Sequence, residues 1–169
     1  MKILTVSDEE CAALWDNYVP GRLKEYDLIL SCGDLSARYL SFLVTMARCP
    51  LLYVHGNHDT NYKQVPPEGC DCIDDHIVTY NGVRILGLGG CRKYHPGPHQ
   101  YTDGQMRRRH QLLLLTLQAH GLRRKAHQHR QRPSAHQHRQ NPKRPDSLSF
   151  CGHVAHPPHL LTNLYSHNS

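Results

Sequence analysis

Apolar and polar positions along the first hundred residues follow two alternating rhythms. Three short β-type runs, Lys2 to Ser7, Leu28 to Cys32 and Leu51 to Val54, each break into polar residues: Ser7-Asp8-Glu9-Glu10, Cys32-Gly33-Asp34 and His55-Gly56-Asn57-His58-Asp59. Helix-length segments separate them. Glu9 to Tyr18 carries Leu14 and Trp15 on one apolar face and stops at Pro20-Gly21, with Trp15 read as core. Ser36 to Arg48 places Leu40, Leu43, Val44 and Ala47 at three- and four-residue intervals ahead of Pro50, the pattern of an amphipathic helix. Strand and helix in alternation predict βαβ units with parallel strands, whose carboxyl ends share one edge where ligands bind. Asp8, Asp34 and Asn57 therefore belong to one edge.

Beyond Asp59 the chain turns polar from Asn61 to Gly69, with Pro66-Pro67, and reads as a surface loop beside that edge. Ile77 to Tyr80, Asn81-Gly82 and Val83 to Leu88 predict a hairpin, because Asn-Gly supplies the positive φ angles of a two-residue turn. Gly87, Gly89 and Gly90 leave its second strand open to close approach. A helix begins at Thr102 and runs to about Arg109. After it no strand pattern is visible: Leu112 to Leu115 is followed by Ala126-His127-Gln128-His129-Arg130-Gln131, repeated at Ala135 to Gln140.

Charge sharpens that break. Residues 1–103 hold 9 Lys and Arg against 13 Asp and Glu, whereas residues 104–169 hold 11 against 1 and also 10 of the 15 histidines. The 169 residues are enough for one domain, yet two differently composed pieces are joined. Seven cysteines, an odd number scattered through apolar runs, and an N-terminal apolar run that soon meets acid, at Asp8, point to a reducing, cytoplasmic setting. Cys70-x-Cys72 offers half a metal site, but with no partner pair in the sequence it reads as loop thiols. No run approaches the ~18 apolar residues of a membrane span, so no membrane partner is expected.

Hard oxygen donors grouped with an imidazole suit divalent cations. Two such ions ~4 Å apart repel by roughly 16 kcal/mol at an effective dielectric of 20, so an anionic ligand between them is close to obligatory. Asp34 is the natural bridge. Taken singly, Asp34 reads equally well as a helix cap and His58 as a turn residue; three ordered motifs at strand ends argue for a site.

Asp8, Gly33-Asp34 and Gly56-Asn57-His58-Asp59 resemble, in order and context, the calcineurin-like metallophosphoesterases, whose pattern is Asp-x-His, Gly-Asp, Gly-Asn-His-Asp/Glu and, downstream, separate histidines ending in Gly-His-x-His. Glu10 stands where that family usually has histidine. Ser7-Asp8-Glu9-Glu10 and Gly97-Pro98-His99-Gln100-Tyr101-Thr102 are similar to a bacterial subgroup with Asp-x-Glu at the first motif, and carboxylate is an acceptable donor for Mn, Fe or Zn. The resemblance implies an α/β fold, a layered β-sandwich flanked by helices, of which residues 1–110 form the N-terminal half. It implies phosphoester hydrolysis at two divalent ions (Mn, Fe or Zn), with Asp8 and Glu10 on one, Asp34 bridging and Asn57 on the other. His58 would protonate the leaving oxygen and Asp59 would orient it.

The family's second half is not recognisable in residues 111–169. Cys151-Gly152-His153-Val154-Ala155-His156 comes near Gly-His-x-His, but the spacing is one residue too long for alternation on an extended segment; His153 and His156 are kept as candidate metal ligands. Three readings of the tail compete. It binds nucleic acid through clustered Lys and Arg, though with no recognised module; it collects metal through His-x-His pairs; or it is a disordered or out-of-frame translation beginning near His110. Loss of acids, periodicity and resemblance at one point favours the last. The expected protein is a metallophosphoesterase, weak or inactive through missing ligands and with apolar sheet surface left open. A non-catalytic basic protein working through its tail is the alternative.

Overall fold

The computed structural model of the chain describes residues 1–130 and 148–152. The three apolar runs form β1 (Ile3–Val6), β2 (Leu28–Ser31) and β3 (Leu51–Tyr53), and β4 (Asp71–Cys72) follows, in one sheet of order β1-β2-β3-β4 with every neighbour parallel. Side chains alternate across the sheet, and here both faces are covered. Ile29, Leu51 and Tyr53 pack under α1 (Ala37–Ala47) with Tyr39, Leu40 and Leu43, while Leu28, Leu30, Leu52 and Val54 pack with Ile73 and Ile85 on the other side. This explains why β2 and β3 read as unbroken apolar runs. It also corrects the expectation of an open sheet surface.

The second sheet supplies that cover. β5 (Ile77–Tyr80) and β6 (Val83–Leu88) form the expected hairpin, pairing Tyr80 with Val83, and the turn residues Asn81 and Gly82 have φ of 47° and 82°. β7 (Cys91–Arg92) and β8 (Gln100–Tyr101) make a small parallel pair. Next, α2 (Asp103–Arg130) lies against β5, β6 and β8. Leu113 packs on Leu86 and Leu88, and Met106 on the same cluster. The order of layers is helix, sheet, sheet, helix, the flanked β-sandwich that was expected.

Three local readings are corrected. Glu9 to Tyr18 is not an α-helix: it holds a single 3₁₀ turn, Ala12–Leu14. Trp15 and Tyr18 are drawn off a helical path to meet α1, with Trp15 edge-on to Tyr39 and Phe42 at 5.8 and 4.9 Å, so tertiary packing overrides local propensity. The segment after Asp59 is more than a surface loop, because a 3₁₀ turn (Thr60–Lys63) buries Tyr62, whose hydroxyl donates to the Leu35 carbonyl at 2.6 Å. Finally, residues 111–169 are not without regular structure. The helix continues to Arg130, and β9 (Leu148–Gly152) adds to the hairpin sheet parallel to β6, Leu148 opposite Arg84 and Gly152 opposite Leu88. Among the described residues no helix is long and apolar enough to cross a membrane.

Candidate metal and phosphoester site

The ends of β1, β2 and β3 meet through their backbones. The Asp8 amide donates to the Gly33 carbonyl at 3.2 Å, and Asp34 Oδ1 accepts from the His58 amide at 2.8 Å. The Asp59 carboxylate, 4 % exposed, accepts from the amides of both Asp34 and Gly56 on Oδ2, at 2.9 and 2.7 Å. Burial raises the Asp59 pKa, opposed by those two amides. Asp59 thus has a task not foreseen in the sequence: its carboxylate ties the turn after β2 to the turn after β3.

Glycine makes the approach possible. A Cβ on Gly33 would lie 2.5 Å from the Gly56 amide nitrogen, and one on Gly56 would lie 2.0 Å from Asp34 Oδ1. Asp8 and Asp34 both take left-handed backbone, φ 63° and 58°, a region non-glycine residues enter at a cost and that clusters at functional sites. Asp34 does not cap α1; Ser36 does, its Oγ accepting from the Tyr39 amide at 3.2 Å.

The remaining candidates surround this knot. The buried Asn57 amide donates through Nδ2 to the Tyr94 hydroxyl at 2.9 Å, which fixes the orientation of the carboxamide. Glu10 Oε1 accepts from the Ser36 amide at 3.3 Å, two residues from Asp34. His58 is exposed and, with Asp34, lines a cavity of about 650 Å³ whose wall includes Arg38, Asn61 and Gln64. Three carboxylates, Asp8, Glu10 and Asp34, and the Asn57 carboxamide are donor types suited to hard divalent cations, although among the described residues the three carboxylates do not gather within 4.8 Å of one another. His153 and His156 lie outside the described residues.

A second group was missed in the sequence. His55, at the end of β3, brings Nδ1 to 2.7 Å from Asp74 Oδ2 and 3.7 Å from Cys72 Sγ. These three ligand atoms lie within 4.8 Å of one another and could hold a metal ion. The bond to Asp74, then that to Cys72, pushes the His55 pKa up to about 10 against its burial. Cys70-x-Cys72 carried a hint, but the partners of Cys72 come from the end of β3 and the turn after β4, not from a second cysteine pair. His99 stacks on His55, ring centroids 4.4 Å apart, and burial followed by the His55 charge lowers its pKa.

Comparison with known proteins agrees with the architecture. A family model described as the calcineurin-like phosphoesterase superfamily domain matches residues 1–163, so the match extends through β9 and past the compositional break. No curated protein and no solved structure matches the chain significantly. Layered sheets, converging strand ends and a match over nearly the whole length make one conclusion: the chain belongs to the calcineurin-like phosphoesterase superfamily.

Proposed function

We propose that the chain is a metal-dependent phosphoesterase whose site is built from Asp8, Glu10, Asp34, Asn57 and His58. The observation that carries this is the joining of the turns after β1, β2 and β3 by direct hydrogen bonds, Asp8 to Gly33 and Asp34 to both Asp59 and His58. Asp8, Glu10, Asp34 and Asn57 would hold divalent ions, which when bound would supply charge neutralisation at the phosphoryl oxygens and activation of the attacking water. The chain's own groups do the rest. Asp34, fixed at both its amide and its carboxylate, would be the anionic ligand that holds the ions. His58, its amide anchored on Asp34 and its side chain exposed beside the cavity, gives its proton to the leaving oxygen. Asp59 is a positioning residue that keeps the two turns in register. Arg38, Asn61 and Gln64 offer a cation and two amides to the leaving portion of the ester.

His153 and His156 follow β9 in the sequence and remain candidates for the second ion. Without them that ion would have Asp34 and Asn57, few ligands for tight binding, and turnover would be slow. The test is hydrolysis of bis-p-nitrophenyl phosphate and p-nitrophenyl phosphate by the full chain with Mn²⁺. Activity should disappear with EDTA and in Asp34→Asn, and fall about 100-fold or more in His58→Ala. Hydrolysis that survives both EDTA and Asp34→Asn, or none with Mn²⁺, Fe²⁺ or Zn²⁺, overturns the proposal.

A further inference from the structure

Beside the strand ends that form the phosphoester site, His55, Cys72 and Asp74 are arranged in a way that site does not use. All three come from the β3–β4 side of the sheet: His55 just after β3, Cys72 as the last residue of β4, Asp74 two residues on. A nucleophilic relay would place the thiol and the carboxylate on opposite nitrogens of the ring. Here Cys72 Sγ and Asp74 Oδ2 both approach Nδ1. Two donors and a ring nitrogen converging on one point suit a cation, not a proton relay.

The distances support the same conclusion. Tetrahedral zinc with bonds of about 2.0–2.1 Å to nitrogen and about 2.3 Å to sulfur separates those two atoms by about 3.6 Å. Nδ1 and Sγ are 3.7 Å apart. Nitrogen and carboxylate oxygen on such an ion stand about 3.4 Å apart, so Oδ2, now 2.7 Å from Nδ1, must withdraw by about 0.7 Å. The surroundings hold the other parts still. The His55 amide donates to Asp74 Oδ1 at 3.2 Å, and its carbonyl accepts from Gly90 at 2.6 Å. The ring is stacked on His99 and edge-on to Tyr53. Gly89 lies against the pair so tightly that a Cβ there would be 2.2 Å from Asp74 Oδ1.

We infer that His55 Nδ1, Cys72 Sγ and Asp74 Oδ2 form a mononuclear site for a thiophilic divalent cation of the zinc type, its fourth position open to water. The thiolate sets its preference apart from that of the oxygen-rich Asp8, Asp34 and Asn57 group, which suits harder ions. Binding replaces the proton between Nδ1 and Oδ2 and releases the thiol proton to solvent. The ion would tie the end of β3, the end of β4 and the turn between β4 and β5 at one point.

Cobalt(II) titration of the full chain tests this, because a thiolate ligand gives a near-ultraviolet sulfur-to-cobalt charge-transfer band that oxygen ligands do not. One equivalent should develop the band. Cys72→Ser, at an exposed position, should abolish it, whereas Cys70→Ser and Asp34→Asn should keep it. Because Asp34→Asn removes a carboxylate of the phosphoester site, the band reports on the new site even if the protein hydrolyses nothing. In the unmodified chain, zinc should slow iodoacetamide alkylation of Cys72 at least 10-fold, read by peptide mapping. Absence of the band, its survival in Cys72→Ser, or alkylation of Cys72 unaffected by zinc overturns the inference.

Discussion

At the scale of single residues, the candidate site depends on two positions that lack side chains. Gly56 has Asp34 Oδ1, Cγ and N at 2.0, 2.4 and 2.7 Å from where a Cβ would stand, so alanine there must push the Asp34 carboxylate or its backbone aside. Gly56→Ala should cost at least ~2 kcal/mol in a urea melt carried out in EDTA, and should remove hydrolysis as well. Gly104→Ala is the control: nothing lies within 4 Å, the residue sits in the first turn of α2, and the change should leave activity alone and stability equal or slightly higher. Equal melting of Gly56→Ala and the parent would show that the two turns are not packed as described. The need for glycine was legible as a motif but not as a contact, since Gly33 and Gly56 are 23 positions apart and only β2–β3 pairing brings them together. The His55, Cys72 and Asp74 group was hidden for the same reason. Its members belong to different segments and depend on the register of β3 with β4, in which Tyr53 faces Cys72.

At the scale of elements, segments that carry their own signals were readable. Ser36 caps α1 and Arg48 ends it in left-handed backbone, φ 57°, just before Pro50; the hairpin announces itself with Asn81-Gly82. Elements defined by partners were not. The two-residue strands β4, β7 and β8 have no periodicity to detect, and Glu9 to Tyr18 yields its helical pattern to the demands of Trp15. α2 is intermediate. Of its four consecutive leucines only Leu113 is buried, and Leu112 and Leu115 are 56 % and 60 % exposed, so hydrophobicity alone does not fix the helix on the sheet. Arg109 does much of that. Nε and Nη2 donate to Asp75 Oδ1, both at 2.9 Å, Nη1 donates to the Gly89 carbonyl at 2.7 Å, and the guanidinium lies 4.0 Å over the Tyr101 ring. Arg109→Ala should destabilise by roughly 2–3 kcal/mol, because it removes a largely covered cation and leaves its partners behind. Asp75→Asn should cost about 1 kcal/mol or less, since Asp75 is 50 % exposed and its share of the pair is screened. Thermal melts of the two variants check the order, and a larger loss in Asp75→Asn would contradict it.

At the scale of the whole molecule, the question is whether residues 111–169 belong to the fold or merely trail from it. Composition argued for the latter, because acids vanish and histidine repeats begin where α2 is still running. The segment's described parts, residues 111–130 and 148–152, meet the sheet: Leu113 closes the cluster of Leu86 and Leu88, and β9 pairs with β6 along five residues from Arg84 to Leu88. Removing 111–169 would strip β6 of that neighbour and expose a row of unpaired backbone groups beside apolar side chains, an edge prone to association. Chain 1–110 should therefore melt at least ~10 °C below the full chain, bind a hydrophobic dye and aggregate on warming. A solely electrostatic tail makes the opposite forecast. Deletion would then leave melting unchanged and abolish only salt-sensitive retention on nucleic acid, since Lys and Arg that release counterions from phosphate need no fold to do so. Melting curves and salt-gradient retention on immobilised DNA, measured on the same two proteins, separate the cases. Unchanged melting would return the segment to the status its composition suggested.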